Sequence, residues 1–326
     1  MRRVRHRPIV PAESVRGYGP VFNAGLLHHD GRYHLFARAV RDGYRPGRAG
    51  GPRFVDYVSD IVVFTSDDGQ HYEFAYVLAR AGDHDVDCFE DPRIQRVSDA
   101  GGERLLMTYT NLPAPERESP WRIGAHHLVW DGNRFHLEPD GGHLLGPDGI
   151  PNKDAVVFTL ADGRVALIHR IHPDMQLAVF DDLDHLIGAD EHYWRTHLDA
   201  LDEHTLIEAG ARSLGIGAGA PPVRTDDGFL LFFHERRADG VYTMNVALLD
   251  EITGRVTSML HEPVLVPELH WERVGDVDDV VFVQGAHLDG DRVYLTYGAA
   301  DRCVGAATAS VRQLLAALAE PEHMVA

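Results

Sequence analysis

GRYHLFAR, Gly31–Arg38, opens on a turn glycine, runs through a hydrophobic, β-rich stretch and ends on a cation. The same form returns as GERLLMTY (Gly102–Tyr109), GRVALIHR (Gly163–Arg170), GFLLFFHE (Gly228–Glu235) and DRVYLTYG (Asp291–Gly298). The starts lie 71, 61, 65 and 63 residues apart. Upstream of each stands another strand-like run with a polar or small opening: FNAGLLHH, EDPRIQRV, NKDAVVFTL, GAGAPPVRT and DDVVFVQGA. Asp-Gly, Gly-Gly or Gly-Asp turns between the two runs make each pair a hairpin. Regular repetition of strands over nearly the whole chain means a radial or stacked β architecture. A propeller blade needs about 40 to 50 residues, so units of this length leave room for long loops. The expected fold is all-β: a five-bladed β-propeller forming one domain over residues 1–326. A β-sandwich or two β-domains is the alternative. SVRQLLAALAE, Ser310–Glu320, adds a C-terminal helix with a serine N-cap, outside the propeller or at a subunit contact.

The 326 residues are 44% hydrophobic and 25% charged, a globular composition. No apolar run reaches the roughly 20 residues of a membrane-spanning helix, and no apolar core follows the basic start MRRVRHRPIV. Two cysteines, Cys88 and Cys303, make no disulfide framework. These features point to a soluble cytoplasmic protein. A net charge of -19 argues against nucleic acid and anionic membranes as partners. An anionic small substrate then requires a local cluster of cations.

In a propeller, equivalent strand ends meet around one channel. Asn23, the Glu90–Arg93 stretch, Lys153-Asp154, Gly217–Pro222 and Asp278-Asp279 should share a ring with Arg38, Tyr109, His169-Arg170, His234-Glu235 and the Asp301 loop. Within it, Asp91 precedes a proline and neighbours Glu90 and Arg93. It is either a general acid tuned by those neighbours or half of an ion pair locking a strand end. Lys153 is the one lysine beside thirty arginines. It is either a chance survivor or a compact ammonium that an arginine fork cannot replace. With His169, Arg170 and Arg122 it could form an oxyanion site. GIGAG, Gly215–Gly219, only imitates a dinucleotide fingerprint, because prolines follow where a helix should start. The paired histidines His28-His29 and His126-His127 point to opposite faces of a strand, and no metal is expected.

VFNAG (Val21–Gly25), SDI (Ser59–Ile61), SDDG (Ser66–Gly69), FEDPRI (Phe89–Ile94), MTYT (Met107–Thr110) and NKDAVVF (Asn152–Phe158) stand in order along the chain. His169-Arg170, Gly217–His234, ALLD (Ala247–Asp250) and YGAADRCVGAA (Tyr297–Ala307) follow. This ordered set resembles glycoside hydrolase family 130, the β-mannoside phosphorylases and related mannosidases. The resemblance implies a five-bladed propeller and inverting chemistry, with Asp91 as proton donor. It also implies inorganic phosphate held by Arg122, Lys153, His169 and Arg170, and no cofactor. Asn23, Arg38, Asp60 and Asp301 match sugar-binding positions, and Arg93, Tyr109, Asp154 and His234 join them as substrate-binding candidates. FNAG for FNPG, Asp278-Asp279 before Val280, and the loop Asn111–Pro120 depart from the family pattern, which leaves linkage and acceptor open.

Three functions compete. A mannoside phosphorylase uses the cations to hold phosphate. A β-mannosidase would use water and a carboxylate base, with Asp279 or Glu235 as candidates. A non-catalytic sugar-binding propeller needs neither Asp91 nor the cations. The expected partners are a small oligosaccharide and phosphate, with a homo-oligomer possible.

Overall fold

The structure, a computed structural model, describes residues 1–47, 53–114 and 119–325. Five antiparallel sheets form the five blades of a propeller. From the axis outward, blade one is Tyr18–His29, Arg32–Arg41, Ser59–Ser66 and Glu73–Ala79. Blade two is Phe89–Asp99, Gly102–Asn111, Arg122–Trp130 and Phe135–Leu145. Blade three is Lys153–Thr159, Val165–Arg170, Met175–Phe180 and Thr205–Ile207. Blade four is Ser213–Ala218, Gly228–Arg237, Tyr242–Leu249 and Val256–Met259, with Val223–Thr225 also on its second strand. Blade five is Val281–Asp289, Arg292–Ala299 and Cys303–Ser310, closed on the outside by the N-terminal Arg2–Arg3. The basic start of the chain is therefore a closing strand. Arg3 is anchored there by Glu272 at 2.7 Å and Glu268 at 2.7 Å.

Each blade is pressed between two others, which explains why the second strands read as unbroken hydrophobic runs rather than as alternation. Alternate side chains face opposite neighbours. Leu35 and Ala37 join a core with blade five, whereas Phe36 joins one with blade two. Five such cores fill the five interfaces between blades. At the axis the innermost strands nearly touch: a Cβ on Gly25 would lie 2.5 Å from the Pro92 carbonyl oxygen, so no side chain fits.

The helix Val311–Leu318 has the expected Ser310 cap, which accepts from Gln313 N at 3.2 Å. Leu314 and Leu318 seal it onto the core between blades four and five. Further helices exist: Leu183–Ile187, Glu191–Asp199 and Leu201–His204 interrupt blade three, and His270–Arg273 precedes blade five. The run GAGAPPVRT is not one strand, because Pro221 and Pro222 remove ladder donors and split it. No helix among the described residues is long and apolar enough to cross a membrane.

Candidate active site

The innermost strands of blades one, two and three share a device that positions the site. In each, two residues oppose one on the second strand: the register slips between Phe22 and Gly25, between Glu90 and Arg93, and between Lys153 and Val156. The first bulged residue is Asn23 (φ 46°), Asp91 (φ 51°) or Asp154 (φ 54°), each in the left-handed region. Asn and Asp tolerate that region best among side-chain-bearing residues, and a bulge re-aims its side chain. The openings NAG, EDP and KDA are the sequence trace of these bulges.

Asn23, Arg38, Glu90, Asp91, Lys153 and Asp301 share the wall of a cavity of about 910 Å³ with Tyr57, Tyr242 and Phe282. Asp91 is 3% exposed. Its Oδ1 accepts from Asn23 Nδ2 at 2.7 Å and from Arg38 Nη1 at 3.1 Å. Arg38 also pairs with Glu90, and its guanidinium lies between the rings of Phe22 (4.9 Å) and Tyr57 (5.2 Å). This fixes the fork over two adjacent carboxylates.

The electrostatics divide the carboxylates. Burial raises the pKa of Asp91, but the charges of Arg38 and Lys153, the Asn23 hydrogen bond and Arg93 outweigh it and hold Asp91 below the ordinary range. Glu90 is raised, first by burial and then by Asp91, against the pull of Arg38. Asp301 is pushed up to about 7, by burial first, with Arg38 opposing and Asp91 adding to the rise. The same surroundings therefore favour a proton on Glu90 or Asp301 over one on Asp91.

The other candidates fall into two shells. Asp154, 1% exposed, is a hub behind Lys153. It meets Arg93 at 3.1 Å, Arg170 at 3.2 Å and His234 at 3.5 Å. Burial raises its pKa, but Arg170 and then Lys153 outweigh that and hold it well below the ordinary carboxylate range. Arg93 also donates to the carbonyls of Gly219 (2.8 Å), Ala218 (2.7 Å) and Asp91 (3.1 Å). It ties the inner strands of blades two, three and four and does not line the cavity. His234 lies against the cavity-wall residue Phe282, with ring centroids 4.0 Å apart. Asp154, Arg170 and His234 support the wall rather than line it.

Four candidates lie elsewhere. Asp60 accepts from Tyr18 (2.6 Å), both ends of the Arg41 fork (2.9 and 2.8 Å) and Ala81 N (2.7 Å), so its carboxylate braces blade one. Arg122 pairs with Asp148 and donates to Gly146 O at 2.9 Å. His169 is fully buried between Asn152 and His197, each 3.2 Å away, the latter from the unforeseen helix Glu191–Asp199. Burial and His197 drive its pKa well down. Tyr109 binds His126 Nδ1 at 3.1 Å in a separate cavity. Of the four expected phosphate ligands, only Lys153 lines the central cavity.

Tyr57, Tyr242 and Phe282 were missed, because single aromatics within strands or loops carry no mark of facing a channel. Residues 115–118 of the loop Asn111–Pro120 lie outside the described residues, while Leu112, Pro113 and Ala114 line the cavity.

The family model described as "beta-1,4-mannooligosaccharide phosphorylase" matches residues 3–320. The chain belongs to glycoside hydrolase family 130. Within family 130, it is 28% identical to the 1,2-beta-oligomannan phosphorylase of Thermoanaerobacter sp. (strain X514), over 96% of this chain and 98% of that one. It is 32% identical to the beta-1,2-mannobiose phosphorylase of the same organism, over 88% and 89%. A solved structure of beta-1,2-mannobiose phosphorylase from Listeria innocua with beta-1,2-mannobiose superposes with a TM-score of 0.77. It is 20% identical and covers 97% of this chain and 98% of that one, which supports the family 130 propeller fold.

Proposed function

We propose that this protein is an inverting phosphorylase of β-mannosides, acting on β-1,2 linkages, with inorganic phosphate as co-substrate. The observation that carries the reading is the presence, in one cavity wall, of Asp91 and the ammonium of Lys153, the residue just before the blade-three bulge. The names of the two relatives matched over nearly their full length favour β-1,2 over the β-1,4 in the family description. Neither Asp279, which pairs with Arg273 at 3.4 Å, nor Glu235 lines the cavity, so neither stands ready as the base of a hydrolase.

Mannose fills the end of the cavity bounded by Asn23, Arg38 and Asp301, and phosphate docks against Lys153. A phosphate oxygen attacks the anomeric carbon as the glycosidic C–O bond breaks on the opposite face. Asp91 supplies the proton of the departing oxygen through a sugar hydroxyl. Phosphate adds negative charge beside Lys153, which offsets part of the pull that keeps Asp91 ionised and lets it take up that proton. Once ionised again, Asp91 is stabilised by Asn23 and Arg38. Phosphate is already an anion, so no second carboxylate is needed to activate it. The protein is read as cytoplasmic.

Incubating the protein and phosphate with β-1,2- and β-1,4-mannobiose in parallel tests the linkage. Mannose 1-phosphate should arise at least tenfold faster from the β-1,2 substrate, and the reverse order would refute the assignment.

A further inference from the structure

Lys153 lines the central cavity, yet among the described residues no hydrogen bond and no ion pair reaches its ammonium. Its direction is therefore set by the backbone on either side. On one side Asp154, the left-handed bulge residue, is locked by Arg93 and Arg170. On the other stands Asn152, 1% exposed, whose backbone N donates to Trp121 O at 3.2 Å.

The Asn152 side chain is held from two directions. Its Oδ1 lies 3.2 Å from His169 Nδ1. Its Nδ2 is buried without a hydrogen-bond partner, so the His169 contact is the polar restraint on this side chain among the described residues. The amide lies against Gly146, where a Cβ would come within 2.6 Å of Nδ2 and displace it. Gly146 has a φ of 89°, and its carbonyl accepts from Arg122 at 2.9 Å. Arg122 and His169, neither of which lines the cavity, thus converge on the residue that precedes Lys153.

The contacts continue outward to a helix. His169 Nε2 meets His197 Nε2 at 3.2 Å, with both rings buried. Burial, with His204 adding, lowers His197 to about 4, and burial with His197 adding drives His169 well down. Both imidazoles are neutral at neutral pH, and a neutral imidazole offers one donor and one acceptor nitrogen. Asn152 Oδ1 only accepts, so His169 donates from Nδ1 and accepts at Nε2. His197 must then donate from its own Nε2. Its other nitrogen, Nδ1, is a buried acceptor with no hydrogen-bond partner. Packing alone would be served by an apolar side chain without that orphaned acceptor. What the histidine adds is the donated proton.

We propose that His197 is a positioning residue for phosphate: the helix Glu191–Asp199 reaches the active site through His197, His169 and Asn152, and so fixes the direction of the Lys153 ammonium. The inference rests on the phosphorylase reading above, in which Lys153 holds phosphate.

The test compares two variants in initial-rate assays on β-1,2-mannobiose over a phosphate series. His197→Leu fills the space without a donor, whereas His197→Gln offers a donor near the place of Nε2. His197→Leu should raise the KM for phosphate by roughly tenfold, the low end of what a charge-assisted contact is worth, with the mannoside KM and the kcat at saturating phosphate unchanged. His197→Gln should recover most of the loss. In the wild type, histidine-selective nitrogen NMR should show His169 protonated at Nδ1 and His197 at Nε2. Inorganic phosphate, but not mannose, should shift the His169 signals. An unchanged phosphate KM in the leucine variant, equal rises in both KM values, or a glutamine variant as impaired as the leucine one would overturn the proposal and leave the phosphorylase reading standing. So would the opposite tautomers or His169 signals that ignore phosphate, a readout that holds even where the leucine variant does not fold. A wild type that forms no mannose 1-phosphate would bring down the parent reading and this proposal together.

Discussion

Arg38 and Asp91, 53 positions apart in sequence, meet at 3.1 Å on the cavity wall, and the same guanidinium grips Glu90. The pairing exists because the bulge at Asp91 turns its carboxylate toward the channel and because Phe22 and Tyr57 clamp the arginine. Asp91→Asn keeps the shape and the Asn23 contact but cannot exchange a proton. It should lower kcat by about 10²- to 10⁴-fold, the usual worth of a general acid, and leave sugar affinity within a few-fold. Turnover assays alongside calorimetric titration with mannobiose check this, and near-normal turnover would remove Asp91 from the chemistry.

Lys153 should act on phosphate rather than on the sugar. Lys153→Ala should raise the KM for phosphate by roughly 10- to 100-fold, the value of a charge-assisted hydrogen bond, while changing the mannoside KM little. Lys153→Arg should recover only part, because a planar fork replaces a point charge. Initial rates over a phosphate series decide it. Equal effects on both substrates would mean the lysine merely holds the wall together.

Asp301 links the site to pH. Its folded pKa of about 7 stands above the roughly 3.9 of an unfolded aspartate. The folded state thus binds its proton more tightly, and the stability gained is present below about pH 4 and lost as pH rises through about 7. Between pH 5 and 8, the Tm of the wild type should fall more steeply than that of Asp301→Asn. Parallel curves would mean that Asp301 titrates normally.

Arg93 and Asp60, buried in framework contacts outside the cavity lining, should show their weight in unfolding rather than in kinetics. Arg93→Ala strands Asp154 and several carbonyls in the interior and should cost roughly 3 to 5 kcal/mol in urea denaturation. Asp60→Ala strands Arg41 and Tyr18 at a smaller cost, about 1 to 3 kcal/mol, with the mannoside KM nearly unchanged. A large rise in KM without loss of stability would return Asp60 to the sugar site.

The propeller was legible because hairpin turns and strand periodicity are local, and five copies make a local signal unmistakable. The ring of Asn23, Arg38, Asp91, Lys153 and Asp301 was legible for the same reason, since equivalent strand ends must meet. The orientation of side chains within that ring was not. Each bulge shifts the alternation of its strand, so Arg93, one turn of the pleat beyond Asp91, is directed inward to the carbonyls of blade four. The surroundings of His169 were not legible, because its partner His197 sits on a helix inserted 28 residues later, in a segment that carried no repeat signal. Arg122 shows the same limit: its ion pair with Asp148 depends on how a loop returns, and nothing in WRIGA states that.

The most direct test of the account is the stoichiometry of β-1,2-mannobiose cleavage with and without inorganic phosphate. With phosphate, each disaccharide should yield one mannose 1-phosphate and one mannose, and without it the substrate should remain intact. Release of two mannose molecules per disaccharide at the same rate in phosphate-free buffer would contradict the phosphorylase account and establish a hydrolase in its place.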